Sequence, residues 1–133
     1  MMAGLSSYPA VAVLRADNLD RATKFYTEVL GFALDAAQSG NGVAIISAGM
    51  GSQLSLYERP GMPAPANTTL AIPVPPAAFD STVTEMRGRG VVFEEYDIPE
   101  MGLKTVNGVA DTGSTKSAWF KDTEGNILNL VSM

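Results

Sequence analysis

Between Asn18 and Gly31 the apolar residues Leu19, Ala22, Phe25, Tyr26, Val29 and Leu30 recur at steps of three and four. That spacing predicts a helix with one buried side. Asp17 or Asn18 can cap its start by accepting an unpaired backbone N–H, and Gly31 ends it in the left-handed conformation. Around this helix the pattern changes to strands: Tyr8 to Leu14 before it, then Phe32 to Gln38, Val43 to Ala48 and Gln53 to Tyr57. Gly40-Asn41-Gly42 and Gly49-Met50-Gly51 supply turns between them. Residues 59–67, rich in proline, read as a linker.

The order then repeats. Thr68 to Val74 alternates as a strand, and Pro75-Pro76 opens a second helix with Phe79, Val83 and Met86 on its buried stripe. Gly88 and Gly90 end it. Val91 to Tyr96, Ser117 to Lys121 and Ile127 to Val131 read as the remaining strands, with 97–115 a long loop. The reading is therefore two copies of strand–helix–strand–strand–strand, one spanning about 8–58 and one about 68–133, in a single domain. Alternation predicts that Leu54, Leu56, Leu70, Ile72, Val74, Leu128 and Leu130 face the core. Gln53, Ser55, Tyr57, Thr69, Ala71, Ile127, Asn129 and Val131 then point the other way. Of Trp119 and Phe120, one belongs to the core and one to that opposite face.

Composition narrows the chemistry. With 133 residues the chain is large enough for a substantial core, and its formal charge of −5 argues against a nucleic-acid surface. It contains no cysteine and no histidine. Disulfides, thiolate nucleophiles and imidazole bases are thereby excluded. No apolar run approaches a membrane span and no basic-then-apolar leader is visible, so a cytoplasmic location is expected.

Two segments carry a resemblance. Leu19-Asp-Arg-Ala-x-x-Phe-Tyr-x-x-Val-Leu-Gly-Phe32 resembles the first helix of the vicinal oxygen chelate superfamily, which includes glyoxalase I, bleomycin resistance proteins, extradiol dioxygenases and fosfomycin resistance enzymes. Trp119-Phe-Lys-Asp-Thr-Glu-Gly-Asn-Ile-Leu-Asn-Leu-Val131 resembles its last hairpin. The resemblance implies an α+β fold of two βαβββ modules forming a curved mixed sheet around a cleft, with helices on the outside.

Metal-dependent members of that superfamily place His or Glu on four strands pointing into the cleft. Carried onto this chain, those positions fall on Val11, Ser55 (or Leu54 if the register slips), Thr69 and Asn129. None is an ordinary ligand for a first-row metal, so neither a metal site nor another cofactor is expected. The ligand-binding candidates are Val11, Gln53, Ser55, Tyr57, Thr69, Trp119 and Asn129, a few polar groups in an apolar surround. Tyr96 and Met101 are candidate lid contacts on the long loop. The acidic run Glu94-Glu95-Tyr-Asp97-x-x-Glu100 reads as solvated, or as a rim that attracts a cation.

The resemblance then implies a metal-free protein of the bleomycin-resistance type, a homodimer holding a small molecule without transforming it. A lyase, isomerase or dioxygenase with an atypical site is the alternative, and a structural module with an occupied groove is a third.

Overall fold

The computed structural model describes residues 4–133. The first module contains β1 (Ala12–Ala16), α1 (Leu19–Lys24), β2 (Ala33–Leu34), β3 (Val43–Ser47) and β4 (Gln53–Glu58). The second contains β5 (Thr68–Val74), α2 (Pro76–Gly88), β6 (Asp97–Ile98), β7 (Leu103–Lys104), β8 (Ala110–Asp111), β9 (Lys116–Lys121) and β10 (Ile127–Ser132). Each module builds a four-stranded mixed sheet, ordered β1-β4-β3-β2 and β5-β10-β9-β8. In each, the strand before the helix lies parallel to the module's last strand. The architecture is α+β with two βαβββ modules, and the two sheets stay separate rather than closing on one another.

Alternation sorts the residues as the pattern predicts. Leu54, Leu56, Leu128 and Leu130 are buried in one core together with Phe79, Val83 and Met86 of α2. Leu70 and Ile72 pack against it. Phe120 is fully buried, whereas Trp119 is half-buried on the opposite face. Residues of both modules share this core. Phe25 lies 6.4 Å from Phe120, and Phe93 lies 5.7 Å from it, edge-on.

The first helix is less regular than its spacing predicts. Asn18, not Asp17, is the cap, accepting from the Arg21 N–H. Asp17 instead pairs with Arg15 and accepts from the Gly61 N–H, which ties the linker to β1. Beyond Lys24 the helix widens into a π-turn over Phe25–Val29, and Gly31 ends it at φ +80°.

Several strand boundaries move. The first strand is Ala12–Ala16 instead of Tyr8 to Leu14. The expected strand from Phe32 to Gln38 stops at Leu34, because the Asp35 carboxylate accepts from both the backbone and the side-chain N–H of Gln38 and curls the chain into a 3-10 turn.

Val91 to Tyr96 does not form a strand. Its Phe93 makes one bridge to Phe120 and its Glu94 N–H donates to the Trp119 carbonyl. The same edge of β9 is then taken over by β8. The segment between 95 and 109 is thus an excursion out of that edge, stiffened by the small β6–β7 hairpin. Its base is pinned at Gly108 (φ +78°), where a Cβ would stand 2.7 Å from the Phe93 Cβ, so no larger residue fits.

Candidate functional site

The face of each sheet turned away from the helices carries the predicted site residues. On the first sheet Ser55 lies between Val13 of β1 and Ile45 of β3. Gln53 and Tyr57 flank it along β4, and Val11 precedes β1 on the same side. On the second sheet Asn129 lies between Ala71 of β5 and Trp119 of β9. Ser55 and Asn129 therefore occupy equivalent places in the two modules, each on the last strand, with Val13 matched by Ala71 and Ile45 by Trp119.

Two of these polar groups are left unpaired. Ser55 is 9% exposed and Asn129 is 8% exposed. Among the described residues neither side chain has a hydrogen-bond partner. The other candidates are engaged. Thr69 donates its hydroxyl to the Ile127 carbonyl, Gln53 reaches the Ser47 hydroxyl weakly at 3.5 Å, and the Arg59 guanidinium stands 5.6 Å over the Tyr57 ring. Trp119 donates its indole N–H to the Thr68 hydroxyl at 3.2 Å, and Tyr96 packs edge-on against it at 5.6 Å. Of the two lid candidates, Tyr96 touches the face and Met101 is exposed to solvent.

The faces are open in a single chain. Val13 is 61% exposed, and Val11, Ala71 and Pro73 are also exposed. The seven candidates divide into two sets, four on the first sheet and three on the second. Gln53 alone approaches the other module: a cavity of about 410 Å³ lies between the β3–β4 turn and β5, lined by Gln53, Leu54, Leu70, Ala71 and Ile72 among others. Arg59 and Thr68 belong to these faces as well. Arg59 lies just past a strand end, where alternation carries no signal. Thr68 is identified only by its bond to Trp119.

The charged groups serve structure. The Asp122 carboxylate accepts from the Glu124 and Asn126 backbone N–H groups, the Asn126 side chain and the buried Tyr26 hydroxyl. Glu124 accepts from the Arg21 guanidinium, the Thr123 hydroxyl and the Asn18 N–H. Burial alone would raise the Glu124 carboxyl, but these donors outweigh it and hold it down to about 2. Glu95 is not simply solvated with the rest of its acidic run. It accepts from the Thr105 hydroxyl and the Gly108 N–H, which lower its pKa. Asp17 is lowered too, by Arg15 and the Gly61 N–H. Carboxyls displaced in this direction make poorer proton acceptors near neutrality. Burial, and then the charges of Asp122 and Glu124, raise the Tyr26 phenol.

A divalent ion does not fit the residues at hand. The four positions carried over present Val11, just before β1, and Ser55, Thr69 and Asn129 on strands, and among the described residues no three carboxylates, imidazoles or thiolates cluster. One neutral amide and two hydroxyls, one of them already bonded, are weak donors for such an ion.

The sequence matches the model of the Glyoxalase/Bleomycin resistance protein/Dioxygenase superfamily over residues 9–130. No curated protein matches it. Among solved structures, a glyoxalase/dioxygenase from Nostoc punctiforme is similar at 15% identity and TM-score 0.69, over 99% of this chain and 95% of that one. The fosfomycin resistance protein FosX from Listeria monocytogenes, solved with Mn(II) and sulfate, is similar at 14% identity and TM-score 0.66, over 100% and 94%. An integron cassette protein from the mobile metagenome of the Halifax Harbour sewage outfall aligns at 17% identity and TM-score 0.67, over 95% and 100%. Among the described residues no helix is long and apolar enough to cross a membrane.

Proposed function

The chain belongs to the Glyoxalase/Bleomycin resistance protein/Dioxygenase superfamily, and from the make-up of its two open faces we propose that it is a metal-independent small-molecule-binding protein of the bleomycin-resistance type. It holds a ligand without making or breaking a bond in it. The observation that carries this reading is that, among the described residues, the largely buried Ser55 and Asn129 keep unpaired polar ends at equivalent positions of the two sheets. Neither polar end is sealed off: among the described residues the fully buried side-chain atoms without a partner are Arg15 Nε and Asn126 Oδ1, so the Ser55 hydroxyl and the Asn129 amide still open onto the exposed face. Two such groups at the same place in both modules are best explained by a guest that completes them.

The partner arrangement follows from the exposed apolar residues. Val11 and Val13 on one sheet and Ala71 and Pro73 on the other lie open in a single chain. A homodimer that lays the first-module face of one copy against the second-module face of the other covers both. It also brings Ser55 and Asn129 of different copies to one cleft. The protein acts in the cytoplasm on this reading.

A lyase, isomerase or oxygenase reading draws no support from the donor set, since Val11, Ser55, Thr69 and Asn129 give no strong ligand and, among the described residues, no three carboxylates cluster.

The test pairs two measurements on the purified protein. A thermal-shift screen over antibiotics and aromatic metabolites is expected to find a class that raises the melting temperature, with the shift reduced in Ser55→Ala. Elemental analysis is expected to find no stoichiometric divalent ion. A silent screen across all classes, or a tightly held metal with chelator-sensitive turnover, overturns the proposal.

A further inference from the structure

Trp119 is the single tryptophan of the chain, and its placement says what kind of molecule the second-module face accepts. The residue stands on β9, yet its indole N–H bonds to Thr68 on β5. β10 runs between those two strands. Neighbouring strands lie about 4.8 Å apart, so the indole must lean across β10 to reach Thr68. On β10, Asn129 pairs with Trp119 and Ile127 pairs with Thr68, so the indole crosses the strand between those two levels. The ring thus forms a floor over the sheet instead of standing upright in it. Thr68 fixes its far edge, and Tyr96, at an interplanar angle of 76°, forms a wall beside it.

Asn129 completes the arrangement. It is the direct cross-strand partner of Trp119, and such side chains rise side by side on one face. Its amide offers one acceptor oxygen and two donor hydrogens, with no partner among the described residues although the residue is more than nine-tenths buried. No carboxylate occupies an inward position next to it: the inward neighbours are Ala71, Ile127 and Val131. The nearest ion pair at this end of β9, Lys121 with Glu94 at 3.5 Å, is already matched.

Resting on the reading above that this face binds a small molecule, we propose that its ligand is a planar aromatic compound with a hydrogen-bond donor and acceptor side by side on one edge, of the carboxamide, lactam or aminopyrimidine kind. The ring system stacks on the Trp119 indole and its polar edge pairs with the Asn129 amide. Aromatic stacking gives affinity without reading the edge, and a two-point amide pairing rejects compounds that lack either group. The first-module face differs at the matching places, with Ser55 for Asn129 and Ile45 for Trp119, so a hydroxyl and an aliphatic side chain stand where the second module has an amide and an indole. Recognition of planarity belongs to the second module.

The lone indole makes the test direct. Its fluorescence is followed while nicotinamide, benzamide and the non-planar cyclohexanecarboxamide are titrated into the wild-type protein, Asn129→Leu and Tyr96→Leu. Thermal shift provides a second readout and confirms that each variant folds. Saturable quenching is expected with the two planar amides, and binding at least about tenfold weaker with the saturated ring and with Asn129→Leu. If cyclohexanecarboxamide or other non-planar compounds bind equally well or better, the face is a ligand site of another class, and this inference falls while the reading beneath it stands. Equal binding by Asn129→Leu overturns the amide pairing. If no compound of any class shifts the melting temperature, both fall together.

Discussion

The two modules close their last hairpins with turns of equal length, Ala48-Gly49-Met50-Gly51-Ser52 and Asp122-Thr123-Glu124-Gly125-Asn126. The backbones match. Ala48 N–H donates to the Ser52 carbonyl and Asp122 N–H to the Asn126 carbonyl, while Gly51 and Gly125 take φ values of +78° and +86°. The side chains do not match. Asp122 gathers hydrogen bonds from its own turn and from Tyr26 across the module boundary, and the Asn126 amide donates to the Arg15 carbonyl on β1. Ala48 has no polar side chain, and the residue of α2 corresponding to Tyr26 is Val83, which cannot reach out in the same way. One turn is a fastener between modules, and the other leaves a cavity of about 410 Å³ beside β5. A shared backbone therefore fixes where the turns lie, and side chains decide which one holds the halves together.

The largest effect is expected from Asp122→Ala. It leaves the fully buried Tyr26 hydroxyl and two backbone N–H groups without an acceptor. A loss of about 3–5 kcal/mol in urea unfolding is expected, and a loss under about 1 kcal/mol would show that the turn is not a fastener.

Acid provides the next test. The Glu124 carboxyl is held at about 2 in the folded chain, below the ordinary glutamate value near 4.3. The unfolded chain therefore binds this proton first, so stability from Glu124 is complete above that ordinary value and drains away as pH falls toward 2. The loss is on the order of 2–3 kcal/mol. Glu124→Gln should flatten the stability profile in that window; an unchanged slope would assign it to other carboxylates.

The smallest effect belongs to the other turn. Ser52 donates only to the Gly49 carbonyl within its own exposed turn, so Ser52→Ala should cost no more than about 0.5 kcal/mol. A larger loss would mean that both turns fasten the modules.

Much of this was legible from residue order. Alternation along Gln53–Tyr57 and Ile127–Val131 separated core from face, because a pleated strand sends successive side chains to opposite sides. The position of Asn129 on the face followed from it. What could not be read was the fate of Val91 to Tyr96, since a single bridge at Phe93 and the takeover of the edge by β8 depend on where the excursion returns. The acidic run was similarly opaque: Glu95 is drawn to Thr105 and Gly108, partners ten or more residues away.

Residue order alone was enough for two modules, a common core, and a set of positions without strong metal donors, because periodicity and residue chemistry are local properties. Only packing brings the two motifs at opposite ends of the chain together, through Tyr26, Asp122, Arg15 and Asn126. Packing likewise set the Trp119 indole across β10 to Thr68 and left the Asn129 amide without a partner among the described residues. Those outcomes depend on distances between segments far apart along the chain, which packing alone sets.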